Sequence, residues 1–181
     1  MKTYKKWAER QYSLKQRLLA LIPAGALFAM LIPFILVKLG PLADHKIGLA
    51  KLDFGIFNLL IGGILIAIGL LYAFWSISDQ LFLAQGTPIP VMATQKLLVT
   101  GPFKQCRNPM TFGTLALYLG ISITARSITA IGLVIVLAVL LILYLKLLEE
   151  KELEMRFGEA FSTYKQQTPF LIPRFWRKDT N

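Results

Sequence analysis

Apolar residues run nearly unbroken through four stretches of the chain, 18–39, 54–77, 110–125 and 127–148, and no acidic residue falls in any of them. A helix needs about 20 apolar residues to cross roughly 30 Å of hydrocarbon. The first, second and fourth stretches are long enough, whereas the third, at 16 residues, reaches only about 24 Å. The pattern predicts an all-α integral membrane protein with about four transmembrane helices. The longest pieces between and after the stretches, 78–109 and 149–181, are too short to fold as separate domains of ordinary size. The chain is therefore read as a single membrane domain, 1–181, which excludes a Rossmann-type cofactor domain and a large receptor module. Chemistry has to come from helix ends and loops at the membrane surface.

Local features refine the elements. Pro23 and Pro33 interrupt backbone hydrogen bonding in the first stretch and predict kinks there. Gly63/Ala67 and Gly69/Ala73 in the second stretch, and Ala116, Gly120 and Thr124 in the third, put small residues one turn apart on faces that let helices approach closely. The last stretch is expected to continue as helix past Glu149, because stopping there sets two acids on the negative end of the helix dipole. Continuation to Arg156 and Phe157 puts a cation in the last turn and Gly158 just beyond it. A cytoplasmic helical tail over 159–167 then presents Phe161 and Tyr164 on one side and stops before Pro169.

Charge sets the orientation. Only 17% of residues are charged, against about 25% in soluble domains, and 20 Lys and Arg outnumber 10 Asp and Glu. Residues 1–17, 78–109 and 149–181 carry six, three and six of the basic residues, whereas 40–53 and the turn at Arg126 hold Lys46, Lys51 and Arg126. This bias predicts that both termini are cytoplasmic. Segment 1–17 mixes Tyr4, Trp7 and Tyr12 with its basic residues and reads as an N-terminal interfacial helix. The first stretch exceeds a signal-peptide core and no A-x-A cleavage pattern follows it, so it is read as a retained span. Basic residues beside apolar spans are explained by anionic lipid headgroups, with no nucleic-acid partner. A lone Cys106 and a lone His45 leave no intrachain disulfide and no metal site.

Two polar groups flank the third and fourth stretches. One is Gly101-Pro102-Phe103-Lys104-Gln105-Cys106-Arg107-Asn108-Pro109-Met110-Thr111-Phe112-Gly113; the other is Glu149-Glu150. A helical hairpin returns to the face it left, so topology brings Arg107 and the glutamates to one side of the membrane. Taken separately, Arg107 reads as a side chain snorkelling to lipid phosphate, and Glu149-Glu150 as a solvated helix face pairing with Lys146 or Lys151. Cys106 has no base partner that would make it reactive, and Asp79 is given a capping role.

Across 75–173 the chain contains, in order, Gly86-Thr87-Pro88-Ile89-Pro90, Leu98-Val99-Thr100-Gly101-Pro102-Phe103, Arg107-Asn108-Pro109-Met110-Thr111-Phe112-Gly113, Glu149-Glu150, Phe157-Gly158-Glu159-Ala160-Phe161 and Thr168-Pro169. This ordered set resembles bacterial-type members of the isoprenylcysteine carboxyl methyltransferase and phospholipid methyltransferase superfamily, and 75–173 is read as its methyltransferase-like region. Where the family has R-H-P-x-Y, Asn108 stands for His, Thr111 stands for Tyr, and an aromatic, Phe112, follows one place later. Asn108 does not titrate near neutral pH and is not a general base.

The resemblance implies S-adenosylmethionine as methyl donor. It implies Arg107 as the fork for the donor's carboxylate, and Glu149 or Glu150 for its ammonium or ribose hydroxyls. It implies Phe103 or Phe112 as an apolar or stacking wall, with Gly101, Pro102, Asn108, Pro109 and Gly113 completing the cofactor-binding set. Arg107 and Glu150 are the expected catalytic pair. The acceptor is expected to be lipophilic and to enter sideways from the membrane lipids. The likeness favours the carboxyl-methylating, isoprenylcysteine-type branch, for which a carboxylate acceptor needs a cation and no base. A phospholipid amine acceptor, needing a proton acceptor, stays open. An NADPH-dependent sterol-reductase-like enzyme is a further alternative, although Thr114 follows Gly113 where that branch favours Glu. A non-catalytic lipid-binding protein is the last. The sequence leaves the oligomeric state unread.

Overall fold

The computed structural model describes residues 12–87 and 94–174, and among these it is helical with no strand. Helices α1 (Leu14–Ile47), α2 (Ile56–Phe82) and, further along, α5 (Ile128–Phe157) are each long and apolar enough to cross a membrane. Before α5 come the short α3 (Pro102–Gln105) and the apolar α4 (Pro109–Thr124), and α6 (Glu159–Gln167) follows it. Large apolar side chains face outward along the long helices, among them Met30 at 71%, Ile64 at 60% and Leu140 at 58% exposure. So much apolar surface is untenable in water and ordinary against lipid, and the chain is an integral membrane protein.

Helix α1 starts earlier and ends later than its apolar stretch. Ser13 and Gln16 form a reciprocal cap, with the Gln16 amide donating to Ser13 Oγ at 3.3 Å and the Ser13 amide to Gln16 Oε1 at 2.9 Å. Residues 14–17, assigned from sequence to the interfacial segment, are therefore the first turn of α1, while 1–11 lie outside the described residues. Two π turns, Ala26–Leu31 and Ile35–Leu39, bracket Pro33 and precede Pro41. The wider turns accommodate the missing proline N–H groups, so the helix continues to Ile47. There Gly48, at φ 73°, donates its amide to the Asp44 carbonyl.

The closest packing joins α2 to α4, which run antiparallel. A Cβ on Gly69 would stand 2.5 Å from the Leu117 amide nitrogen, one on Gly113 2.8 Å from the Gly69 carbonyl, and one on Gly120 2.6 Å from the Gly62 carbonyl. Backbones touch directly at two levels, so any larger side chain pushes the helices apart. Of the small residues expected to do this, Gly69, Ala73, Gly120 and Thr124 lie in the seam, whereas Gly63 has nothing within 4 Å and Gly62 takes its place. The glycine spacing is seven, two helical turns, which keeps one face in contact along the pair. A four-residue spacing marks small pairs without saying which side meets the partner. Beside the seam, Leu36, Tyr118, Ala130 and Val134 form the buried core, and the Tyr118 hydroxyl donates to the Phe28 carbonyl at 2.6 Å.

Helix α5 runs past Glu149 to Phe157 and is closed by Gly158 at φ 54°, ψ −127°, a conformation that needs glycine. Helix α6 follows with Phe161 and Tyr164 buried, at 1% and 8% exposure, as their spacing predicts. Arg17 bonds the Leu81 carbonyl, and the Arg174 amide donates to the Gln105 carbonyl at 3.0 Å. The first turn of α1 and the segment after α6 thus lie at the same end of the bundle as α3.

Candidate functional site

Prolines position the loop that carries Arg107. Gly101, at φ 56° and ψ −133°, makes the turn into α3; a Cβ there would collide with the Asp79 carboxylate. Pro102 opens α3 with its fixed φ, and Pro109 opens α4 in the same way. A residue before proline is kept out of helical conformation, and Asn108 sits at φ −124°, ψ 57°. The chain between the two helices is thereby extended, with Cys106 at φ −152°, and Arg107 is presented from that link.

The partner group comes from α5. Leu145–Glu149 is a π turn, which adds a residue to the turn and shifts everything after it. Leu145, Glu149, Glu150 and Leu153 all line one cleft as a result. Arg107 Nη1 meets Glu150 Oε1 at 2.5 Å, and Lys165 Nζ of α6 meets Glu150 Oε2 at 2.9 Å. Lys165 also pairs with Glu154 at 2.8 Å, and these carboxylates raise its pKa above the usual lysine value. Both oxygens of Glu150 are thus committed to cations. Glu149, half-buried beside it, makes no ion pair or hydrogen bond among the described residues. The Arg107 Nε is buried and has no hydrogen-bond partner among the described residues.

The segment after α6 fastens the loop. The Arg107 amide donates to the Pro169 carbonyl at 2.8 Å, and the Asn108 side chain donates to the Phe170 carbonyl at 2.9 Å. The Phe170 ring lies 5.5 Å from the Arg107 guanidinium and 5.1 Å from the Lys146 ammonium. Tyr164 donates its hydroxyl to the Phe103 carbonyl at 2.6 Å, and burial pushes that phenol's pKa up. Cys106 is fully buried and its thiol is pushed up to about 12 by desolvation, so it is no nucleophile at neutral pH.

The cleft holds about 550 Å³ of empty space, its open mouth included. Of the residues expected from sequence, Phe103, Arg107, Asn108, Glu149 and Glu150 line it. Gly101, Pro102 and Pro109 shape the loop behind it. Phe112 lies outside the lining, packed edge-on against Tyr72 with ring centroids 5.0 Å apart, and Gly113 faces α2 in the glycine seam. Lining residues that sequence reasoning did not single out for the site include Gln80, Thr94, Lys96 and Leu153. Thr94 is held by a bond from Arg156 to its carbonyl. No group of three or more His, Cys, Asp or Glu suited to a metal occurs among the described residues.

The family model for phospholipid methyltransferase matches residues 57–160, more than half of the chain and all of α2 through α5 except Ile56. The chain belongs to the phospholipid methyltransferase family. The match takes in the motifs from Gly86 to Gly113 and the Glu149-Glu150 pair that carried the resemblance, and of these motifs Arg107, Asn108, Glu149 and Glu150 line the cleft. Membership in a phospholipid methyltransferase family, together with the apolar helices, supports methyltransferase activity at a membrane. No curated protein and no solved structure matches the chain.

Proposed function

We propose that the chain transfers a methyl group from S-adenosylmethionine to the amino headgroup of a membrane lipid. The observation that carries this reading is the unequal state of the two glutamates. Glu150 is saturated by Arg107 and Lys165, whereas Glu149 lines the cleft with no cationic partner among the described residues. An uncompensated carboxylate favours a positively charged ligand and can take the proton that an amine must shed.

The residues fit the donor. Arg107 keeps a buried Nε that is unbonded among the described residues beside its pair with Glu150, which leaves a guanidinium edge for a carboxylate. Phe103, Phe161 and Tyr164 supply aromatic surface in the lining. When bound, the donor supplies an electrophilic methyl on sulfonium sulfur, open to in-line displacement. The protein's own part is to bind, orient and exclude water: Glu150 holds Arg107, the Pro169 and Phe170 carbonyls hold the loop, and Glu149 receives the proton.

A carboxylate acceptor of the isoprenylcysteine type is the second reading. It is favoured by Lys96, a lining residue with no ion pair among the described residues. Both readings place the cleft and the two termini in the cytoplasm, where the donor is soluble. Thr3→Cys and Asp179→Cys are then both labelled by an impermeant maleimide only from that side.

The test gives purified protein methyl-labelled donor with phosphatidylethanolamine vesicles or with S-farnesylcysteine. Label that resists mild alkali identifies an N-methyl product and supports the amine reading. Label released as methanol identifies a methyl ester and overturns it in favour of the second. On the amine, Glu149→Gln is expected to lower kcat about a hundredfold.

A further inference from the structure

We infer that Gln80 reads an N–H group of the ligand held in the cleft, an inference that rests on the donor reading above. Gln80 is the residue through which α2 reaches the lining, and sequence motifs did not single it out. Its backbone is fixed on both sides of the helix end. The Gly86 amide donates to the Gln80 carbonyl at 3.1 Å, and Arg17 takes the next carbonyl, that of Leu81. The side chain is therefore presented from an anchored position, yet its Oε1 is buried with no hydrogen-bond partner among the described residues.

Buried polar atoms are normally paired, and an orphan asks for an explanation. Two such atoms belong to lining residues: the acceptor Gln80 Oε1 and the donor Arg107 Nε. Together they describe a ligand that offers a hydrogen-bond donor at one place and an acceptor, such as a carboxylate, at another. The last torsion of a glutamine is broad, so the oxygen turns into the cleft at little cost. An amide is neutral and sets an acceptor beside a donor, the pattern that matches the exocyclic amine and neighbouring ring nitrogen of adenine. A lipid amine uses the oxygen alone. The shared chemistry is an N–H, and its two sources are the base of the donor nucleoside and the headgroup of the acceptor.

The experiment compares wild type, Gln80→Met, which keeps length and loses the acceptor, and Gln80→Glu, which keeps an acceptor oxygen, all as the full chain in detergent. The dissociation constants of S-adenosylhomocysteine and of S-inosylhomocysteine, which lacks the exocyclic amine, are measured with KM and kcat for phosphatidylethanolamine. The expected result is that Gln80→Met binds S-adenosylhomocysteine about tenfold more weakly, leaves the inosyl analogue unchanged, and is rescued by Gln80→Glu. That outcome assigns the N–H to the base. A tenfold rise in KM for the lipid at constant kcat, with nucleoside affinities unchanged, assigns it to the acceptor. Unchanged constants in Gln80→Met overturn the inference, and so does equal weakening of both nucleosides. If wild type itself binds neither nucleoside, the donor reading falls and this inference with it; tight wild-type binding with an indifferent Gln80→Met removes this inference alone.

Discussion

At the end of the bundle away from the cleft, Asn58 accepts from the Phe54 amide at 2.6 Å and donates to the Leu52 and Ile123 carbonyls, each at 3.0 Å. Nearby, Asp44 Oδ1 accepts from the Thr129 amide at 2.9 Å and from its hydroxyl at 2.5 Å, tying the end of α1 to the start of α5. At the cleft end the same kinds of side chain surround open space: Arg107, Glu149 and Gln80 keep unspent bonding capacity there. One end uses Asn58 and Asp44 Oδ1 to close loops over helix ends, where orphaned backbone groups are costly, and leaves Asp44 Oδ2 buried without a hydrogen bond among the described residues. The other holds its polar groups in place by neighbours along the lining of an open cleft. Polar density alone does not separate the two; what each group is bonded to does.

The comparison requires that both ends hang on a common frame, and the glycine seam is that frame. Gly69→Val is expected to remove about 3 kcal/mol or more of stability and to abolish both folding and donor binding, read as loss of a monodisperse peak in detergent. Persistence of that peak breaks the premise. Arg107→Ala separates the ends: donor affinity is expected to fall by at least about tenfold, while the melting temperature drops by a few degrees because Lys165 still covers Glu150. At the opposite end, Asn58→Leu strands the Phe54 amide and the Leu52 carbonyl, while the Ile123 carbonyl keeps its bond from the Arg126 amide, and the change is expected to cost about 2 kcal/mol with kcat per folded molecule unchanged. A loss of activity there at full stability would erase the distinction. The smallest effect is expected for Arg126→Ala, whose pair with Asp53 at 3.0 Å is exposed, worth about 0.5 kcal/mol or less and reduced further by salt.

Much of this was readable from residue order. The apolar runs marked where the helices lie, the acids at 149 and 150 required α5 to continue, and Gly158 marked its stop, because each rests on local rules. The hairpin argument put Arg107 and Glu150 on one side, and the structure pairs them at 2.5 Å. What escaped depends on rotation about a helix axis. Gly62 and Gly63 are neighbours of equal size, and only the partner helix chooses between them. Gln80 sits in a helix whose other residues miss the cleft, and Lys165 reaches Glu150 only because Gly158 folds α6 back. Phe112 looks like a wall in the motif, but in the structure it turns to Tyr72. The start of α1 was misjudged because aromatic and basic composition outweighed a cap at Ser13 and Gln16.

The shortness of α4 bears on how a lipid meets the site. At 16 residues it spans about 24 Å against a hydrocarbon layer of about 30 Å, and the loop bearing Arg107 is attached to its first residue. With the turn at Arg126 at the opposite surface, a helix this short sets that loop toward the acyl chains instead of raising it clear of the headgroups. In the reaction proposed above, a lipid headgroup then needs no lift out of its leaflet to be modified, and each methylene that stays among its neighbours avoids a cost of about 0.8 kcal/mol. In the proposed reaction the water-soluble donor comes down to the lipid's own depth, so the traffic to the site is vertical for one substrate and lateral for the other.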